Sequence, residues 1–316
     1  MNKYLITGIL GVLLIGVVAV IAVQGPRSLN GGVYCSSDGT LIDTMPIQSH
    51  RSYCIKSDSS GKTYAVNTPN GYSFSIVDDQ GNTLKNLEIT HTKQMHVIVV
   101  RGDLANFQHL HPEYDPNSGR FTVDIMFPSD GRYRVFADFV PRGGQMGPDG
   151  VPLGVTISED ISVGNVGAYV PQPLENEQHV KTFDVYDVTL STMPQSLKSG
   201  EEAMLTFSLN QNGKPITDLE EYLGALGHSV ALREETLDFI HAHPMDNSLA
   251  DQRGKVAFMV TFPQEGTYKI FTQFQRNGKV FVTDYVVYVA KGTDTMPGMD
   301  HEMTPEMQRD MEEMMR

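Results

Sequence analysis

Six of the ten histidines fall into a pattern written twice. His96 is followed 13 residues on by His109-Leu110-His111-Pro112, and His228 is followed 13 residues on by His241-Ala242-His243-Pro244. On an extended strand, residues i and i+2 project from one face, so the two imidazoles of each His-x-His point the same way. If the His96 strand folds back on the His-x-His strand with partner numbers summing to 207, His96 lies opposite His111 on that face. Three imidazoles so placed make a nitrogen site for zinc, copper or nickel. One such motif is weak, because histidines on strands commonly face solvent or bond to backbone. Its recurrence is the stronger signal: the intervening residues change (Leu110 against Ala242, Gln108 against Ile240) while all three histidines stay.

Sulfur shifts the expected metal toward copper. Met146, in RGGQMG, and Met245, after the second His-x-His-Pro, are additional thioether candidates, and thioether prefers Cu(I) over zinc. Met95 adjoins His96 and so faces away from it on a strand, as a packing residue. Seven of the 16 methionines crowd into Thr295–Arg316. There Met296, Met299, His301 and Met303 form an irregular soft-donor tract suited to Cu(I). Met307, Met311, Met314 and Met315 recur at helical spacing behind Thr304-Pro305, so the alternative is an amphipathic helix docking on a partner. Only two cysteines occur, Cys35 and Cys54. In an oxidising compartment they make one disulfide, closing a loop worth roughly 3 kcal/mol; soft metal ligation with Met45 and His50, or free thiols, are the alternatives. His50, His91 and His179 fall outside the pattern and read as surface histidines.

The elements that must hold these histidines are strands. Segments 72–77, 120–127, 132–139, 203–209, 255–262 and 267–274 alternate apolar and polar residues, and turn signals such as PSDG and RNGK separate them. The histidine motif is part of a longer repeat. Phe107 precedes it in one copy and Phe239 in the other, and FPSDGRYRVFADF is matched by FPQEGTYKIFTQF. The fold class expected is all-β: two tandem immunoglobulin-like or cupredoxin-like antiparallel β-sandwiches behind an N-terminal transmembrane helix. The divisions are 1–27 anchor or signal, 28–65 Cys-containing segment, 66–164 first sandwich, 165–180 linker, 181–291 second sandwich and 292–316 Met/His-rich tail. Residues 219–226 (LEEYLGAL) read as a short helical turn ahead of His228.

The 19 residues from Leu5 to Val23 carry no charge. At about 1.5 Å per residue they span a hydrocarbon core of roughly 30 Å. An uncleaved single-pass anchor is expected, with a cleaved signal as the alternative; both put the body outside the cytoplasm. The net charge of −14 over 316 residues argues against nucleic acid as a partner. No P-loop, dinucleotide fingerprint, nucleophile elbow or His-Glu-x-x-His occurs, which removes the common hydrolases and kinases.

MHVIVVRGDLANFQHLHPEY followed by FPSDGRYRVFADF resembles bacterial extracytoplasmic β-sandwich proteins of the YtkA-like and CopC-like kind, over about residues 70–165 and more loosely 182–290. Such domains accompany heavy-metal-binding domains and copper-transport ATPases. The resemblance implies a copper role for His96, His109, His111, His228, His241 and His243, with a copper transporter or other metal-handling protein as partner. This chain departs from it in having two copies and a Met-rich tail, and in lacking an N-terminal histidine after a cleavage site. The expected function is therefore a membrane-anchored extracytoplasmic copper-binding protein for sequestration, delivery or resistance, holding Cu(I) or Cu(II) in preference to zinc. Two alternatives stand beside it: a copper-dependent redox protein, and a tandem immunoglobulin-like interaction module without metal.

Overall fold

The apolar–polar alternation is realised as eighteen strands in a computed structural model, which describes residues 53–144, 146, 152–175, 178–245 and 254–292. The N-terminal segment with Cys35 and the Met/His-rich tail lie outside the described residues. Among the described residues no helix is long and apolar enough to cross a membrane.

The first repeat contains β1 (Tyr53–Ser57), β2 (Thr63–Tyr64), β3 (Pro69–Asp78), β4 (His96–Arg101), β5 (Gln108–Leu110), β6 (Glu113–Asp115), β7 (Arg120–Met126), β8 (Gly131–Phe139) and β9 (Val155–Val163). They form two sheets, β1-β3-β7-β6 and β2-β9-β8-β4-β5, antiparallel except for the β2–β9 pair. One core lies between them, with Phe74 and Phe121 from one sheet against Val97, Val99 and Val135 from the other. The strands β1 and β2 belong to these sheets, although the sequence placed them in the Cys-containing segment before the sandwich. Cys54, in β1, is 1% exposed.

The second repeat contains β10 (Val180–Phe183), β11 (Tyr186–Met193), β12 (Glu202–Gln211), β13 (Lys214–Pro215), β14 (His228–Arg233), β15 (Phe239–Pro244), β16 (Lys255–Thr261), β17 (Gly266–Arg276) and β18 (Lys279–Val289). Here β15 is continuous: its start pairs with β14 and its end, at His243 and Pro244, pairs with β16. The His-x-His-Pro segment is thus where the chain passes from one sheet to the other. In the first repeat the same passage is broken into β5 and β6. The β17–β18 turn places Asn277 (φ 52°) and Gly278 (φ 69°) in the left-handed region that a two-residue hairpin requires.

Strands β4 and β14, which open on His96 and His228, are buried on both faces. In β4, Val97 and Val99 point into the core of the first repeat. Ile98 and Val100 point the other way, to meet Val230 and Leu232 of β14 in a third apolar cluster between the repeats. Two aromatic pairs close this seam: Phe107 stacks on Phe271 at 4.3 Å and 8°, and Phe136 meets Phe239 at 5.4 Å. Phe107 and Phe239 are equivalent in the repeat, as are Phe136 and Phe271, so the repeats meet about an approximate two-fold axis. The linker follows the seam. Val166–Ala168 form one 3-10 turn, Gln172 donates its backbone N–H to Asp103, and Leu174 packs on the seam cluster.

Residues 219–226 are not helical. Glu220 bridges Gln275, and Tyr222 bridges Ala225 around Leu223 (φ 58°) and Gly224 (φ 83°). Burial of Leu219 on one side and of Ala225 and Leu226 on the other pins both ends and forces the reversal.

Candidate metal centre

The pairing register brings the first three histidines together. Val97 pairs with Leu110 and Ile98 with His109, so His96 and His111, which flank the Val97–Leu110 pair, lie on the same face as His109. One ring nitrogen from each of His96, His109 and His111 lies within 4.8 Å of the others, and ring centroids are 4.8–5.2 Å apart. The second copy repeats the register, Val230 pairing with His241. The backbone of His243 pairs with Met259; its side chain lies outside the described part of the structure.

The two motifs do not form two remote sites. The ring of His228 is 6.5 Å from that of His96 and 6.3 Å from that of His109 across the seam. His91, which the sequence left as a surface residue, joins them: its ring is 4.7 Å from that of His228 and 5.3 Å from that of His241. Six imidazoles from both repeats therefore share one end of the seam. Ile98, Val230, Phe107 and Phe271 wall the cavity beside them.

Two polar side chains the sequence did not single out cross the seam to orient these rings. His109 Nδ1 lies 2.5 Å from Gln273 Oε1, and His241 Nδ1 lies 3.6 Å from Asp138 Oδ2. Gln273 and Asp138 are equivalent positions of the repeat, in FTQF and FADF. Each lies between core aromatics on the face that meets the other repeat. The signal available in the sequence was a polar residue kept at the same place in both copies, Asp138 in FADF and Gln273 in FTQF.

With Gln273 Oε1 and the Thr90 carbonyl as acceptors, the tautomers of His109 and His96 follow. His109 donates from Nδ1 to Gln273, leaving a lone pair on Nε2. His96 donates from Nε2 to the carbonyl of Thr90 at 3.1 Å, leaving a lone pair on Nδ1. Those two lone-pair nitrogens face each other at 3.0 Å. His111 Nε2 is buried with no hydrogen-bond partner among the described residues. Two nitrogens each about 2.0–2.1 Å from one tetrahedral ion stand at nearly this separation. A cation between them converts a repulsive contact into two bonds.

Burial keeps the rings neutral. Desolvation lowers His96 despite the Thr90 bond; desolvation and then the neighbouring His96 lower His109 well below the ordinary value. His111 is brought to about 4 by desolvation and His96, and His228 to about 3 by desolvation, His91 and His241. Burial works to raise Asp138, but hydrogen bonds from His241 and Thr156 hold its carboxyl below the usual range. The unfolded chain takes up protons near 6.5, where the folded chain refuses them. Stability of the metal-free protein is therefore full above that pH and falls as the pH drops from there toward 4. The slope is roughly 1.4 kcal/mol per pH unit for each of His109 and His228, and less for the more exposed His111. Urea midpoints between about pH 7 and pH 5 measure this; a flat profile would put the imidazoles in solvent.

The remaining candidates lie elsewhere. Met95 is in the first core, facing away from His96. Met146 is 55% exposed and bridges Pro152, and neither it nor Met245 lines the seam cavity. His179 is exposed. Cys35, Met296, Met299, His301 and Met303 lie outside the described residues.

Fold and cluster together define a two-repeat all-β chain with a histidine-filled seam. One family model matches it twice, over residues 53–147 and 181–291, and the chain belongs to that family, DUF8832, described as a domain of unknown function. No curated protein matches it. Among solved structures, it is similar to a DUF4426 family protein from Pseudomonas aeruginosa, at 13% identity and a TM-score of 0.28, over 36% of this chain and 97% of that one. The Escherichia coli adhesin FdeC is similar at 14% identity and a TM-score of 0.24, over 75% of this chain and 64% of that one. Invasin, a bacterial integrin-binding protein, is similar at 15% and 0.24, over 77% of this chain and 40% of that one.

Proposed function

We infer that this chain is an extracytoplasmic, membrane-anchored copper-binding protein that sequesters or delivers the metal, built on two immunoglobulin-like or cupredoxin-like sandwiches and stapled by a Cys35–Cys54 disulfide. The observation that carries the reading is the pair of lone-pair nitrogens of His96 and His109, 3.0 Å apart, with His111 Nε2 beside them. Neutral imidazoles in a partly desolvated pocket suit a borderline or soft transition metal, and the Met/His tract of the tail favours copper over zinc. The resemblance to YtkA-like and CopC-like proteins supports the same choice, with a copper transporter or other metal-handling protein as the partner that supplies or takes the ion.

The test is a Cu(I) and Cu(II) titration of the full chain against a competing chelator. It is run beside a variant with His96, His109 and His111 changed to Ala and beside a chain ending at Lys291. Tight binding lost with the three histidines is the expected result. Loss only on truncation would make the tail the copper site and the repeats its scaffold. Weak binding by every chain would leave a tandem interaction module.

A further inference from the structure

His91 has no counterpart in the second repeat, where its position is Leu223, and it sits in a conformation its neighbour disfavours. The turn Thr90–Lys93 closes by backbone bonds of 2.9 and 3.0 Å, with His91 at φ 50° and Thr92 at φ 66°. Such a turn prefers Asn-Gly, and a β-branched residue at positive φ is strained. The equivalent turn uses Leu223 and Gly224, and a Cβ on Gly224 would lie 3.7 Å from Thr92 Cγ2, so the two turns face each other over the cluster. The strained turn delivers one imidazole onto His228 and His241 of the other repeat.

We propose that His91, His228 and His241 form a second metal position beside the first, composed across the seam and taking a divalent first-row cation such as Zn(II) or Cu(II). It rests on the reading that the cluster binds metal. Ring centroids of 4.7, 5.3 and 6.4 Å bracket the value of about 5 Å that three imidazoles have around one ion at about 2.0 Å. His228 sets Nε2 3.4 Å from the Leu223 carbonyl, which leaves Nδ1 as its ligand nitrogen. Asp138 orients His241 through Nδ1, which makes Nε2 the metal-facing nitrogen in a carboxylate–histidine–metal arrangement. The carboxylate separates the two positions chemically: the first trio is backed by the neutral Gln273 and the second by an anion, which favours the higher charge. Among the described residues only the first trio already has its nitrogens within 4.8 Å of one another, so the second closes by ring rotation when the ion enters.

Co(II) is the probe, because thioethers bind it poorly and its ligand-field band reports a nitrogen-rich site. The full chain is expected to take two equivalents by absorbance titration. His91→Asn, which suits the left-handed turn but removes the imidazole, should take one. The double variant His109→Ala/His111→Ala should also take one, at the remaining position. Two equivalents retained by His91→Asn would overturn the proposal, as would a single wild-type equivalent insensitive to His91 and abolished by the double variant. That last outcome leaves the first site standing, whereas no Co(II) uptake by any chain would remove both.

Discussion

Phe271→Ala is expected to lower folding stability by about 3–5 kcal/mol, the range for truncating a well-buried Phe. Phe271 is 4% exposed, stacks on Phe107 at 4.3 Å, and carries Lys269 Nζ over its ring at 5.3 Å. Removing it empties the middle of the seam rather than the core of either repeat, and that location makes the prediction specific. Denaturant unfolding should resolve into two transitions, one per repeat, where the wild type shows coupled unfolding. Metal affinity should fall in the same variant, because the second repeat then no longer holds Gln273 against His109. A single shifted transition with unchanged metal affinity would mean that the repeats communicate by some route other than the seam.

Gln273→Ala is expected to weaken metal binding at His96, His109 and His111 by about 10–100-fold, the usual effect of deleting the partner that orients a ligating imidazole. Gln273 belongs to the other repeat and acts by holding His109 in the tautomer that presents Nε2. Gln273→Glu supplies an acceptor at the same reach and should restore affinity. A purely structural role would be damaged by both changes alike, so chelator-competition affinities of the two variants, measured beside their unfolding midpoints, decide between the roles.

The first trio was legible because strand pairing is arithmetic. Once His-x-His sits on a strand and the hairpin partners sum to a fixed number, the face shared by His96, His109 and His111 follows, and Ile98 pairs with His109 as that arithmetic requires. The strands themselves were legible from their two-residue period. How the two repeats meet was not, since alternation along one strand cannot say what covers its second face. The unbroken apolar run VIVV, Val97 to Val100, was a sign that both faces of β4 are covered, without naming the cover. His91 escaped for a related reason. Comparing the copies retains residues present in both, and the position of His91 holds Leu223 in the other, so the comparison that revealed six histidines discarded the one that joins them. LEEYLGAL was misread because its helix-forming residues are overruled by burial at both ends.

The approximate two-fold axis through the cluster also bears on how such a site can be altered. In a homodimer of single repeats, every residue at the dyad is present in duplicate, so any substitution strikes both halves at once and the halves stay identical. Covalent fusion of the copies into one chain removes that restriction. Asp138 where the other copy has Gln273, and His91 where the other copy has Leu223, are differences that a fused chain permits and a homodimer of identical repeats does not. Fusion also makes docking of the halves intramolecular, so that assembly of the cluster is independent of protein concentration.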